Sequence, residues 1–333
     1  MPILKNHWVL DLGRNTRLFV RVEAGLTGAG AIFDRLKART GTRRSGRAKS
    51  AESSTEPEGI KPENVIWILG SGRTGSTWLG RMMGDLEDHF LWHEPYVGEI
   101  FGTAYYVRAW DQQREREGYI LSRPYKRVWL KAMRDLILEG AEARYPGAKG
   151  YLVIKEPHGS IAAPLLIEAL PESRMVFLVR DPRDVVASRL DAHKQGSWTR
   201  KLTGKTGETI ADTDPDAFVE AAARLCLRDM EKVKQAYDAF EGYKALVRYE
   251  DLRANTLEEL KEMYSRLGIL VEEEQLRRVV EKRDWENIPD NRKGAGKAHR
   301  KASPGGWRED LTPQQSERVE QITAPILDEF YSG

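Results

Sequence analysis

The residues best suited to chemistry begin at Gly70. The run Gly70-Ser71-Gly72-Arg73-Thr74-Gly75-Ser76-Thr77 combines glycines, hydroxyls and one cation. Glycines let a backbone approach an anion closely, and successive amides at a helix N-terminus hold it. The spacing nearly fits the phosphate-loop pattern, but Ser76 stands where that pattern needs Lys, and the cation sits inside the loop at Arg73. A second group is Arg180-Asp181-Pro182-Arg183-Asp184 with Ser188 beyond it. A cation at a strand tip and a hydroxyl about two turns into the next helix could grip a phosphate from two sides. The same four charges could equally form a surface ion-pair cluster. A third group, Arg300-Lys301-Ala302-Ser303-Pro304-Gly305-Gly306-Trp307-Arg308, is a basic flap with a glycine turn; alone it is an ordinary basic loop.

These groups need elements to position them. Residues 65–69 are apolar and β-favouring, while Trp78, Leu79, Met82, Met83 and Leu86 carry helical spacing, so the glycine loop joins a strand to a helix. Residues 151–154, 175–179 and 245–248 predict three more strands. Helical periodicity marks 125–143, 161–170, 218–240, 257–267 and 272–282. Residues 89–102, which contain Trp92-His93-Glu94-Pro95-Tyr96, read as a loop. Residues 196–216 read as a surface loop or lid whose Trp198, Arg200, Lys201 and Lys205 could touch a substrate. Alternating strands and helices predict an α/β fold with a central parallel sheet flanked by helices. Ligands of such sheets bind beyond the carboxyl ends of the strands, and the groups above follow strands, so they could share one crevice.

The 333 residues carry a net charge of +2, with 40% hydrophobic and 31% charged residues. These values suit one large domain or two modest ones with a packed core, and give no polyelectrolyte signal for nucleic acid. No apolar run approaches the roughly 20 residues of a membrane helix. The single cysteine, Cys226, excludes an internal disulfide, reads as a buried apolar filler and points to a reducing compartment. The six histidines lack zinc-ligand spacing, so no metal site is expected. Residues 1–59 differ from 60–333. They hold a basic run from Arg35 to Lys49 followed by a small, polar, acidic stretch, and read as a basic arm with a flexible linker. The start lacks secretory-signal features, which suggests the cytoplasm. The arm is either a solvated tether or a peripheral contact with an anionic membrane or partner.

From about residue 65 onward, the three groups in this order resemble the sulfotransferases that use 3′-phosphoadenosine 5′-phosphosulfate (PAPS), in motif style closest to bacterial and carbohydrate-type members. The resemblance implies a P-loop-like strand–loop–helix that binds the phosphosulfate through Gly72, Arg73, Thr74, Gly75, Ser76, Thr77 and Trp78. It places the 3′-phosphate on Arg180 and Ser188. Arg300-Lys301-Ala302 and Gly305-Gly306-Trp307-Arg308 resemble the family's Arg-Lys-Gly…Gly-Asp-Trp-Lys flap, with Ala302 for Gly and Gly306 for Asp; Arg292-Lys293-Gly294 is a competing match. Tyr249-Glu250-Asp251-Leu252 resembles a family segment near the nucleotide. The implied reaction is in-line sulfuryl transfer to a hydroxyl or amine, without a required metal, in which Arg73 neutralises the leaving oxygen. A general base is then needed. Glu94, in a Glu-Pro segment like that of carbohydrate and tyrosyl-protein members, ranks first. His158 follows, displaced by one in Lys155-Glu156-Pro157-His158 from the cytosolic Lys-Thr-His pattern, and then Glu156 or His93. Lys155 would contact the sulfuryl group or pair with Glu156. The acceptor would be a hydroxyl compound, carbohydrate or lipid-like. The rivals are a phosphate-loop nucleoside-triphosphate kinase, for which only Asp181 could hold magnesium, and a non-catalytic protein docked by its basic arm.

Overall fold

The computed structural model describes residues 59–204, 206–297 and 300–332, together with two short strands, Leu10–Asp11 and Arg17–Leu18, that pair antiparallel. Apart from those strands and Gly59, the arm expected over 1–59 lies outside the described residues, as does Lys205.

Strand β1 (Val65–Leu69) is buried at all five positions, as expected of a strand covered on both faces. Its alternation divides the core. Val65, Trp67 and Leu69 join one cluster with Met175 and Phe177, whereas Ile66 and Ile68 join another with Leu79, Met82 and Met83. Each such side chain contributes on the order of 2 kcal/mol through burial. The Trp67 indole N–H donates to Ser173 Oγ at 3.0 Å, so even this polar atom is satisfied.

The chain continues through α1 (Ser76–Gly84), β2 (His89–His93), α2 (Val97–Gly102), α3 (Lys126–Arg144), β3 (Tyr151–Lys155), α4 (Ala163–Ala169) and β4 (Arg174–Val179). It then forms α5 (Pro182–His193), α6 (Pro215–Ala239), β5 (Lys244–Arg248), α7 (Tyr249–Ala254), α8 (Thr256–Arg266), α9 (Glu273–Lys282) and α10 (Pro313–Tyr331). The sheet order is β2-β3-β1-β4-β5 and every pairing is parallel. The order reverses at β1, which has β3 on one side and β4 on the other. That reversal opens a crevice at the carboxyl end of β1.

Two expectations are corrected. Residues 89–102 are not a loop: 89–93 form the edge strand β2, in register with β3 from His89↔Tyr151 to His93↔Lys155, and α2 follows. An edge strand is half-buried, so His-Phe-Leu-Trp-His lacks the continuous apolar run that marks β1 and β4. Residues 196–216 contain two short helices, Trp198–Thr203 and Ile210–Thr213, the second opened by a Thr209–Asp212 capping box.

Candidate active site

Helix α1 opens at Gly75, with φ 91° and no side chain capping it. Its first amides are thus left for an external acceptor, the arrangement that binds phosphate-like anions. A Cβ on Gly75 would stand 2.5 Å from the Tyr249 ring, so glycine is required by conformation and by space. Tyr249, just after β5, closes one wall: the Arg180 guanidinium lies 4.3 Å over its ring, and Trp78 meets it edge-on at 6.3 Å. The loop start is tied down by buried Ser160, whose hydroxyl accepts from Gly70 N at 3.0 Å and donates to Gly70 O at 2.6 Å.

The expected loop cation and the expected phosphate hydroxyl meet, with Arg73 Nε donating to Ser188 Oγ at 3.0 Å. Arg180 Nη1 donates to the Arg73 carbonyl at 3.1 Å, while its buried Nε has no partner. Burial, followed by the charges of Arg180, Arg189 and Arg300, pulls the Arg73 pKa down to about 10, partly offset by Asp191. Guanidiniums gathered this closely favour a multiply charged anion.

The flap and α5 are joined through Asp184. This fully buried carboxylate accepts from Gly305 N at 2.8 Å and Trp307 N at 2.9 Å. The charges of 180–184 therefore do not form a surface cluster. Arg180 and Asp184 turn inward, whereas Arg183 pairs with Asp181 and Glu320 at 2.7 and 2.8 Å. Arg300 reaches the cation group while pairing with Asp310. Lys301 is held by Glu309 at 2.7 Å and Asp310 at 3.0 Å. In the competing segment, Lys293 turns to Asp290 at 3.4 Å.

The opposite wall carries the acid–base groups. Glu94 follows β2 and Lys155 ends β3; strand pairing sets them side by side, and Glu94 N donates to Lys155 O at 2.9 Å. Lys155 pairs with the Glu94 carboxylate, not with Glu156 as one expectation had it. His158 Nε2 lies 3.8 Å and His93 Nδ1 3.9 Å from that carboxylate, and Tyr96 OH donates to it at 3.4 Å. Five described non-glycine residues have positive φ; four of them, Arg73, Glu94, Tyr96 and Ala302, belong to these loops. Such strain persists where surrounding structure enforces it, often at functional sites.

Burial pushes the Glu94 carboxyl up, but Lys155, then His158 and His93, outweigh it and hold its pKa below the usual value. Desolvation lowers the half-exposed His158, with Glu94 opposing and Arg189, Lys155 and Arg73 adding to the fall, so the imidazole is neutral at pH 7. Desolvation also lowers Lys155 despite its Glu94 partner. Glu156 is fully buried, and its Oε1 accepts from Gly98 N at 2.6 Å. That burial pushes its carboxyl up to about 7 and removes it from reach of an acceptor.

Sequence reasoning missed Arg189 and Tyr96. Arg189 follows Ser188 directly, which was the available signal; Tyr96 follows the Glu-Pro segment. From the lid, Trp198 reaches the site, with its ring 5.7 Å from Arg73 Cζ, whereas Arg200 donates to Gly207 O within its own loop. Asp181 caps α5 through Arg183 N, which occupies the one carboxylate a kinase reading could use. Among the described residues, no cluster of three or more His, Cys, Asp or Glu could hold a metal ion.

Comparison with known proteins gives the family and the fold. Residues 65–273 match the model described as the sulfotransferase family. The chain is 25% identical over 118 residues to the omega-hydroxy-beta-dihydromenaquinone-9 sulfotransferase Stf3 of Mycobacterium tuberculosis, covering 35% of this chain and 29% of that protein. It is 23% identical over 193 residues to carbohydrate sulfotransferase 2 of Homo sapiens, covering 49% of this chain and 35% of that one. The chain thus spans about a third of the length of these curated relatives. The solved structure of sulfotransferase STF9 from Mycobacterium avium shares the fold, with a TM-score of 0.53, 13% identity and coverage of 81% and 78% of the two chains. So does mouse sulfotransferase SULT7A1 complexed with PAP, at 0.51, 14%, 80% and 85%. The family match takes in Arg73, Glu94, Lys155, Arg180 and Tyr249 and ends before the flap; covering more than half of the chain, it makes this protein a member of the sulfotransferase family.

Proposed function

We propose that this protein transfers a sulfuryl group from PAPS to a hydroxyl of a carbohydrate or lipid-like acceptor. The carrying observation is the gathering of Arg73, Arg180, Arg189 and Arg300 at the uncapped start of α1, opposite the Glu94–Lys155 pair.

The 5′-phosphosulfate lies on the Gly72–Thr77 loop, and the 3′-phosphate lies between Arg180, Ser188 and Arg300. Trp78 and Tyr249 flank the nucleotide, and Lys301 holds the flap. The acceptor oxygen enters from the Glu94 wall. Its bond to sulfur forms as the bond from sulfur to the 5′-phosphate oxygen breaks, and the electron pair departs with adenosine 3′,5′-bisphosphate (PAP). Arg73 and the desolvated Lys155 meet the charge growing on that leaving oxygen. The acceptor proton passes to Glu94, with neutral His158 as the second group in reach. Tyr96, whose hydroxyl donates to Glu94, and Ile100, one helical turn further on, are 44% and 62% exposed, which favours an acceptor with an apolar body over a fully polar one.

For residues 1–59 the reading is a basic arm that contacts an anionic membrane or partner, on a cytoplasmic enzyme; its support is the cation run from Arg35 to Lys49. Among the described residues, no helix is long and apolar enough to cross a membrane.

The test is PAP release from PAPS with long-chain alcohols and oligosaccharides as acceptors. Arg73→Ala should lose both turnover and nucleotide affinity. Glu94→Gln should bind PAP normally but turn over about 10²- to 10⁴-fold more slowly. Normal turnover in Glu94→Gln would remove Glu94 as the base.

A further inference from the structure

Ser188 and Arg189 are neighbours on α5, but their side chains reach different parts of the glycine loop. Ser188 accepts from Arg73 Nε. Arg189 reaches back to the loop's beginning, where its Nη2 donates to Ser71 Oγ at 2.9 Å. A Cβ on Gly72 would stand 3.3 Å from Arg189 Nη2 and 3.9 Å from His158 Cε1. Arg189 and His158 therefore both border the side of Gly72 on which a side chain would stand, and His158 leads on to Glu94 at 3.8 Å. Arg180 and Ser188, by contrast, cluster with Tyr249 and Arg73.

The charge on Arg189 is incompletely answered. Asp229 is 3.9 Å away, but its Oδ1 accepts from Arg228 at 2.7 and 3.1 Å. Arg189 Nε is buried without a partner. A buried guanidinium with unspent donor capacity calls for an acceptor-rich anion. Asp229, buried on α6, and Ser71 keep the fork oriented, so little reorganisation is needed when the anion arrives.

We propose that Arg189 is a catalytic residue that holds the non-bridging oxygens of the sulfuryl group, not either phosphate. This rests on the sulfotransferase reading above. In in-line transfer those oxygens stay on sulfur while it passes from the phosphate oxygen to the acceptor oxygen, so Arg189 can hold them throughout. A side chain on Gly72 would crowd the Arg189 fork, since its Cβ would stand 3.3 Å from Nη2.

PAP lacks the sulfuryl group and PAPS carries it, so comparing the two isolates the contact. Equilibrium binding of each, without acceptor, is measured on the full chain for wild type, Arg189→Ala, Arg189→Lys and Ser71→Ala. Arg189→Ala should leave PAP affinity within about twofold of wild type and weaken PAPS about ten- to a hundredfold. Arg189→Lys should restore part of the PAPS preference and carries the same comparison if the alanine variant fails to fold. Ser71→Ala, which removes one of the two groups that orient the fork, should weaken PAPS by less than Arg189→Ala and leave PAP close to wild type. Equal weakening of PAP and PAPS, no change in either, or a Ser71→Ala variant that reproduces the loss would overturn the proposal, the last by showing that Arg189 only props the loop. A wild type that binds neither nucleotide would remove the sulfotransferase reading itself, an outcome distinct from a wild type that binds both with no role for Arg189.

Discussion

Glu94 and His158 compete for one proton, and their environments separate them. Lys155 holds the Glu94 pKa below the carboxylate value of 4.5, and burial holds His158 below 6.5. A base works only when deprotonated, so activity falls as pH drops through its pKa. With Glu94 as the base, kcat/KM should stay level from about pH 8 down to about pH 5. With His158 as the base, it should decline between about pH 6.5 and 5. The pH profile of wild type and His158→Gln decides between them: a fall across that upper window, abolished in His158→Gln, would contradict the Glu94 assignment. Glu94 was legible in the sequence because Glu-Pro is a recognisable local pattern. Its distant partners were not, since the contacts from Lys155 and His158 depend on β2 lying against β3, a pairing that no local spacing announces. The role of Arg189 was hidden for the same reason, as its partner Ser71 lies on another element.

Among elements, the three inner strands were readable because burial on both faces demands apolar runs, as in Val65–Leu69 and Arg174–Val179, and the edge strand β5 was readable from its short apolar run Ala245–Val247. The edge strand β2 was not, since one covered face tolerates two histidines in five residues. Loop chemistry was readable in kind but not in partner. Glu156 looked like a partner for Lys155, yet it turns under α2 and accepts from Gly98 N, fixing the segment that follows Glu94. Its carboxyl is pushed up to about 7 by burial, then modulated by the α2 amides and by Glu99 and Glu94. Between 4.5 and about 7 the folded chain thus keeps a proton that the unfolded chain has released. Stability should therefore fall as pH rises across that window, by on the order of 3 kcal/mol, and level off above it. Glu156→Gln keeps the acceptor for Gly98 N and cannot ionise. Thermal melts should find it more stable than wild type at about pH 8 and level with it at about pH 5. An equal difference at both pH values would mean that ionisation of Glu156 plays no part.

At the scale of the whole molecule, a net charge of +2 conceals a local concentration of cations. The sheet order β2-β3-β1-β4-β5 creates it by bringing the loops after all five strands to one end. Composition gave no sign of this concentration, because cations and carboxylates nearly balance over the whole chain. The general architecture followed from alternating strands and helices, and the family from three separated motifs in order. Which residues face each other across the crevice required the fold. The account stands or falls on whether that crevice is a PAP site centred on Arg180. The deciding measurement is calorimetric titration of PAP, without metal, into wild type and Arg180→Ala. The expected result is binding at about micromolar Kd in wild type, weakened about tenfold or more in the variant. No binding of PAP, with ATP-Mg²⁺ bound instead, would contradict the account and favour a phosphate-loop kinase.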